Sequence, residues 1–160
     1  MAQSPVDTFT DLLGTYHGEQ GEGVCPSGQL TAYAETLTLR RQHDWVWFQF
    51  SAIEPSGQVL HEEHGVFRPT PDGKLEASIV MNSGRMEFAK GGWNGATLLL
   101  DSSRFLNDRL GVLATRRRYE FRPQACSRTF WLATPQWPTL TLHMWGTLHR
   151  VSVEVRAPRG

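Results

Sequence analysis

The stretch Asp44-Trp45-Val46-Trp47-Phe48-Gln49-Phe50-Ser51-Ala52-Ile53 alternates with a period of two residues. One face of it would carry Val46, Phe48, Phe50 and Ala52, and the other would carry Trp45, Trp47, Gln49 and Ser51. Successive side chains of a β-strand point to opposite faces, so this pattern predicts a strand. Bulky side chains on both faces, together with six Trp, eight Phe and three Tyr in 160 residues, favour a chain rich in strands.

Turn sequences follow at intervals of roughly ten residues. They are Pro55-Ser56-Gly57, Pro71-Asp72-Gly73, Asn82-Ser83-Gly84 and Asn94-Gly95. Because glycine and asparagine accept a positive φ angle, each of these turns can join two antiparallel strands. Regular hairpins without intervening helices predict nine or ten strands in a closed barrel or a two-sheet sandwich. We expect an all-β fold, a closed antiparallel barrel of about ten strands, wide enough to enclose a ligand cavity.

Only the segment 4–13 has helical signals, since capping residues and a proline come early and Gly14 ends it. We expect at most about two helical turns there. The length suits one domain over residues 1–160, with a core from about 10 to 155. The segments 1–4 and 156–160 are expected to be loose ends.

The charge and the cysteines limit the possible partners. Lysine plus arginine and aspartate plus glutamate number 16 each, so the formal net charge is zero and nucleic acid is not an expected partner. The first residues lack the pattern of a signal peptide, and no apolar run approaches the roughly 20 residues of a membrane helix. We therefore expect a cytoplasmic protein with no membrane contact, in which Cys25 and Cys126 are free thiols.

Six histidines are the first candidates for metal chemistry: His17, His43, His61, His64, His143 and His149. His61 and His64 are three residues apart, so on a regular strand they point to opposite faces and do not share an ion. Alternation over 139–148 places His143 with Thr141, Trp145 and Thr147. From this pattern alone, His143 is predicted to be an exposed or hydrogen-bonded histidine rather than a metal ligand.

Charged pairs and triplets suggest no hydrolase. Glu62 and Glu63 are adjacent and point to opposite faces, so they do not form the carboxylate pair of a glycosidase. In the triplet 116–118, alternation turns Arg117 inward, toward a carboxylate or a ligand acid. The sequence contains no Gly-x-Ser-x-Gly elbow, no phosphate-binding glycine loop and no Cys-x-x-Cys pair.

Several segments match, in order and spacing, the sequence motifs of one known family. Residues 13–23 (LGTYHGEQGEG) resemble its Gly-x-Trp-x-Gly-x-Gly signature, and 24–27 (VCPS) fall where the family has Tyr-Pro-Thr. Residues 57–69 (GQVLHEEHGVFRP) resemble its Leu-His-x-Glu-x-Gly-Tyr-x-Arg stretch, and 82–91 (NSGRMEFAKG) its Thr-Gly-x-x-Glu hairpin. The segments 132–134 (LAT) and 143–150 (HMWGTLHR) resemble the closing run of the family. Together these segments resemble the nitrobindin family of haem-binding barrels.

This resemblance implies a barrel of the calycin type, like that of fatty-acid-binding proteins. The closing histidine of the family is the axial ligand of the haem iron, which assigns that role to His143. By position, His61, Met81 and Leu132 should line the same cavity, while Ser27 should stand where the family's threonine approaches the haem. The expected cofactor is haem b, and the expected ligands are nitric oxide or peroxynitrite, isomerised to nitrate with no catalytic residue beyond the iron. The alternative is a haem-free carrier of a fatty acid or another apolar acid, with Arg117 pairing to its acid group.

Two differences from the family pattern lead to structural expectations. Tyr16 replaces the signature tryptophan, and Cys25 and Ser27 replace the tyrosine and threonine, at positions expected near the haem edge. One extra residue lies before His143, and a slip of one residue turns a strand side chain to the opposite face. We therefore expect a bulge or a longer loop at 135–138 that restores the inward facing of His143.

Overall fold

A computed structural model describes residues 4–24 and 28–151 of the chain. It begins with a 3₁₀ helix, Asp7–Leu12. Ten strands follow: β1 Gly14–Val24, β2 Leu30–Gln42, β3 Trp45–Ile53, β4 Val59–Pro69, β5 Leu75–Met81, β6 Met86–Asn94, β7 Thr97–Leu106, β8 Ala114–Arg122, β9 Ala125–Ala133 and β10 Thr141–Arg150. No helix among the described ranges is long and apolar enough to cross a membrane.

The ten strands form one closed antiparallel barrel. Each strand pairs with the next along the chain, and β1 closes the ring by pairing with β10. The fold predicted from the alternation and the turn spacing is therefore confirmed, as is the short helical segment before the first strand.

Glycines occupy the predicted turns in the left-handed conformation. Gly57, Gly73 and Gly84 have φ angles of 89°, 76° and 82°, and each donates its backbone N–H to the carbonyl three residues before it. Side chains rarely adopt these angles, which explains why glycine recurs where one strand must reverse into the next. The register of the hairpins, and hence which side chains face inward, follows from these turns.

The 3₁₀ helix closes one end of the barrel, which we call the closed end. Phe9 is fully buried there, stacked on Phe67 at 5.2 Å between ring centroids and edge-on to Trp93 at 4.9 Å. The indole N–H of Trp93 donates to the Pro5 carbonyl at 3.0 Å, which ties the segment before the helix to β6. This end therefore has a packed aromatic core.

The opposite end, which we call the open end, lies where β1, β5 and β9 finish and β2, β6 and β10 start. The loop 134–140 borders it, between β9 and β10. Between the two ends, the barrel interior holds buried charged side chains: Glu35, Glu63, Glu87, Arg117 and Arg128. The interior is thus divided into an apolar end, a charged middle layer and an open end.

Candidate functional site

A cavity of about 330 Å³ lies at the open end. Its wall is built from the ends of β1, β2, β4 and β10, and its lining residues include Val24, Tyr33, Leu60, His61, His143 and Met144. Ligand sites in proteins typically combine such apolar surface with a few polar groups, and their volumes range from about 300 to 1,000 Å³. The cavity meets this description at its lower limit.

A β-bulge turns His143 toward this cavity. Leu142 pairs with Trp131 and Met144 pairs with Phe130, so His143 is an extra residue in β10 without a partner in β9. A bulge lets two consecutive residues face the same side, and both His143 and Met144 line the cavity. The strict alternation that grouped His143 with Trp145 is therefore wrong. The expected compensation exists, but the bulge is at His143 itself rather than at 135–138.

The His143 imidazole is held in a conformation suited to donate a lone pair. Its ring packs edge-on against Phe130 at 5.9 Å and hydrogen-bonds to the backbone of Val24. Burial lowers the pKa of His143 below its ordinary value of 6.5, and the charges of Arg128 and Arg85 act in the same direction, while the Val24 bond opposes them. Near neutral pH the imidazole is therefore uncharged, which is the form that binds metal ions.

His61 faces the same cavity from β4. Its Nε2 lies 2.8 Å from Oε1 of Glu63, which has no exposed surface. His64 points outward instead, where it pairs with Glu62 at 3.2 Å and is 47% exposed. Of these two histidines, His61 thus faces the cavity, and the predicted separation of Glu62 from Glu63 is confirmed. His17, His43 and His149 lie exposed on the outside of the barrel.

Arg117 points inward as predicted, but its guanidinium already has partners. It donates to Glu63 at 2.9 Å through Nη2, and Glu87 accepts hydrogen bonds from both Nη atoms. Thr115 lies 3.3 Å from Nη1 and itself donates to Glu87. These carboxylates raise the pKa of Arg117 against the opposing effect of burial, so it stays charged. Of the two partners predicted for Arg117, a carboxylate or the acid group of a ligand, the structure shows the first, because Glu63 and Glu87 bind its guanidinium.

Arg128 and Glu35 complete the charged layer with fewer contacts. Arg128 stacks over the Phe50 ring at 3.6 Å and lies 3.5 Å from Glu63. Both carboxylate oxygens of Glu35 are buried without a hydrogen-bond partner among the described residues, and burial raises the pKa of this group. Gly146 leaves room for Glu35, since a Cβ atom there would collide with its carboxylate. The pairing in this layer thus centres on Glu63.

The other predicted site residues are placed as follows. Met81 and Leu132 are buried inside the barrel, at 4% and 5% exposure, toward the open end but outside the lining of the cavity. Ser27 and Cys25 lie outside the described residues. Tyr16 lies at the closed end, where its hydroxyl donates to the Leu12 carbonyl at 2.9 Å, so it stands at the end of the barrel opposite the cavity.

The sequence analysis gave no role to four charged residues of the interior: Glu35, Arg85, Glu87 and Arg128. Glu87 was quoted only as part of a hairpin motif, and Arg85, next to a turn glycine, resembled an exposed loop residue. Arg85 is instead 93% buried, with 7% exposure. A signal existed for Glu87, since alternation from buried Ala89 places it inward, but no pattern in the sequence marks Arg85. Cys126 is a buried free thiol, and burial raises its pKa to about 12.

Comparison with known proteins relates most of the chain to one family. Residues 6–150 match the THAP4-like, heme-binding beta-barrel domain. A curated Arabidopsis thaliana protein named Peroxynitrite isomerase Rv2717c is 38% identical over 85 residues, which are 52% of this chain and 51% of that protein, so the chain spans about half the length of that relative. The crystal structure of Rv2717c from M. tuberculosis matches with a TM-score of 0.77 over 95% of this chain and 100% of that one, and at 20% identity this likeness shows the fold.

Proposed function

The chain belongs to the THAP4-like, haem-binding β-barrel family, the nitrobindin family, and on this premise we propose that it binds ferric haem b at the open end with His143 as the axial ligand. The observation that carries this proposal is the His143 ring itself. It lines the cavity, it is uncharged near neutral pH, and its bond to the Val24 backbone orients it. Metal-binding histidines commonly use one ring nitrogen in this way and offer the other to the metal.

By its size and its chemistry, the cavity fits part of this cofactor. Leu60, Met144 and Tyr33 offer apolar and aromatic surface to a porphyrin ring. A volume of about 330 Å³ is too small for the whole macrocycle. One edge of the macrocycle would therefore lie at the opening of the cavity.

The residues around the cavity hold the ligand rather than react with it. Haem bound through one histidine would supply an iron with a sixth position open to nitric oxide, or to peroxynitrite for its isomerisation to nitrate. His61 stands in the same cavity with its ring oriented by Glu63, so it offers a hydrogen bond to a small ligand. Beneath it, Glu63, Arg117 and Glu87 form a saturated network that keeps a ligand from penetrating toward the closed end.

The experiment that tests this proposal is a titration of the purified protein with hemin, followed by absorption spectroscopy. The wild type should give a Soret band with a defined end point, and His143→Ala should lose or shift this band. His149→Ala is the matched control, because it removes a histidine of the same strand from the outer surface and should leave the spectrum unchanged. A wild-type protein that gives no Soret band, or a His143→Ala variant with the wild-type spectrum, contradicts the proposal.

The reaction is tested separately on the loaded protein. Hemin-loaded protein should accelerate the decay of peroxynitrite and give nitrate as the product, while the apo protein should not. Binding of nitric oxide should shift the Soret band of the loaded wild type. If haem binds but neither effect is seen, the cofactor assignment stands and the proposed reaction falls. The cytoplasmic location belongs to the same proposal.

A further inference from the structure

Arg85 is a buried arginine whose guanidinium has no hydrogen-bond or ion-pair partner among the described residues. It follows the turn between β5 and β6, it is 7% exposed, and its Nε is fully buried without a hydrogen bond. Its guanidinium lies 5.9 Å from the centroid of the Phe105 ring, which fixes it in place by a cation–π contact. Buried charges are normally paired, so this arrangement calls for an anion.

Every carboxylate near Arg85 is committed elsewhere. Glu87 and Glu63 bind Arg117, as described above. Asp108 accepts the backbone N–H groups of Leu110 and Val112 within its own loop. These carboxylates affect the pKa of Arg85, but none of them forms an ion pair with it. The chain therefore leaves this cation available for a group that comes from outside.

Arg85 lies at the same end of the barrel as His143. In the ring of ten strands, β5 is five strands from β10 in either direction, so the β5–β6 turn stands across the barrel from His143. The charge of Arg85 still reaches His143, as the smallest of the contributions that lower its pKa. A ligand held at His143 and extending across the opening would reach toward Arg85.

We propose that Arg85 is the acid-recognising residue of this site and takes a carboxylate of the bound ligand. The ligand class is a molecule with an apolar body and a carboxylate at its edge. If the ligand is haem, which rests on the proposed function above, the carboxylate is a propionate. If it is a fatty acid, the carboxylate is its head group. A charge-assisted hydrogen bond of this kind contributes about tenfold to a hundredfold in affinity.

The test compares ligands with and without the acid group. Wild-type protein is titrated with hemin and with hemin dimethyl ester, and, in a second arm, its thermal unfolding is followed with dodecanoate and with dodecanol. The wild type should bind the acid about tenfold or more tightly than its neutral counterpart in at least one arm. Arg85→Gln should abolish this preference without changing the affinity for the neutral counterpart, and Arg85→Lys should retain part of it.

The control variant is Arg104→Gln. Arg104 also lies over a phenylalanine ring, Phe88 at 4.9 Å, but on the exposed outside of the barrel. It should keep the full preference for the acid. Arg85→Gln should fold, since it removes an unpaired buried charge, and the melting temperature of its apo form should equal or exceed that of the wild type.

The outcomes separate this inference from the proposed function. If hemin binds and Arg85→Gln leaves the acid preference intact, the role of Arg85 is refuted while haem binding stands. If hemin does not bind, the proposed function fails, and the dodecanoate arm alone decides the role of Arg85. If the wild type prefers the acid in neither arm, the inference is overturned.

Discussion

The two ends of the barrel use their inward residues differently. At the closed end, Phe9, Phe67 and Trp93 pack against one another, and the 3₁₀ helix covers the strands. At the open end, His143 and His61 face a cavity. One ring of strands forms both ends, and the buried network around Arg117 separates them. The comparison shows that one fold can place a packed aromatic core at one end and a cavity, the proposed ligand site, at the other.

The largest loss of stability is expected from a substitution in the charged layer that separates the two ends. Arg117→Met leaves Glu63 and Glu87 buried without their main cation, and breaking such a buried pair costs about 3 to 5 kcal/mol of unfolding free energy. We expect a loss toward the upper limit of this range, because two carboxylates lose their partner. Urea-induced unfolding measures this loss.

Arg116→Ala is the matched control for this change. Arg116 is the neighbouring arginine and pairs with Asp101 at 2.6 Å on the exposed surface. An exposed pair contributes about 0 to 1 kcal/mol. Equal destabilisation by the two variants would show that the interior layer does not hold the barrel together.

A second large effect is expected at the closed end. Phe9→Ala removes a fully buried ring and should cost about 3 to 5 kcal/mol, which lowers the melting temperature by about 6 to 20 °C in a chain of this size. At temperatures where the variant stays folded, its affinity for hemin should equal that of the wild type. Thr8→Ala, at an exposed position of the same helix, should change neither quantity. A loss of hemin affinity in folded Phe9→Ala would break the separation of the two ends.

The sequence was sufficient to predict the fold, but it predicted only part of the candidate site. Alternation and turn glycines predict strands such as β3 because one face of each strand must be buried, and the turns then set the register. The same alternation fails at His143, because a bulge interrupts the period and depends on contacts with β9. Arg117 could be predicted to point inward from its own strand. Its partners Glu63 and Glu87 could not, because they come from strands that only the closed ring brings together.

A smaller change in stability, which depends on pH, is expected from His143 at the open end. The pKa of His143 lies below 6.5 in the folded state, so the unfolded chain binds a proton first as the pH falls. The stability contributed by the neutral imidazole is thus complete above about pH 6.5 and is lost below it, at no more than about 1.4 kcal/mol per pH unit. Hemin affinity should decline over the same range, because the proton competes with the metal.

This prediction is checked by urea unfolding of the wild type and His143→Gln between about pH 5 and pH 8. As the pH falls, the wild type should lose more unfolding free energy than His143→Gln. Glu63, whose pKa lies well below 4.5, contributes its pH dependence only at lower pH, as its carboxylate becomes protonated. A difference that is independent of pH would show that His143 is not buried as a neutral base.

The central claim, that haem is held at the open end by His143, is tested most directly by nuclear magnetic resonance of labelled protein with and without ferric hemin. Ferric haem is paramagnetic and broadens the amide signals of nearby residues. Signals of Val24, His61 and Met144 should broaden or vanish, while those of Phe9 and Trp93 at the closed end stay sharp. Broadening at the closed end, or along the outside of β1 and β10, would contradict the claim.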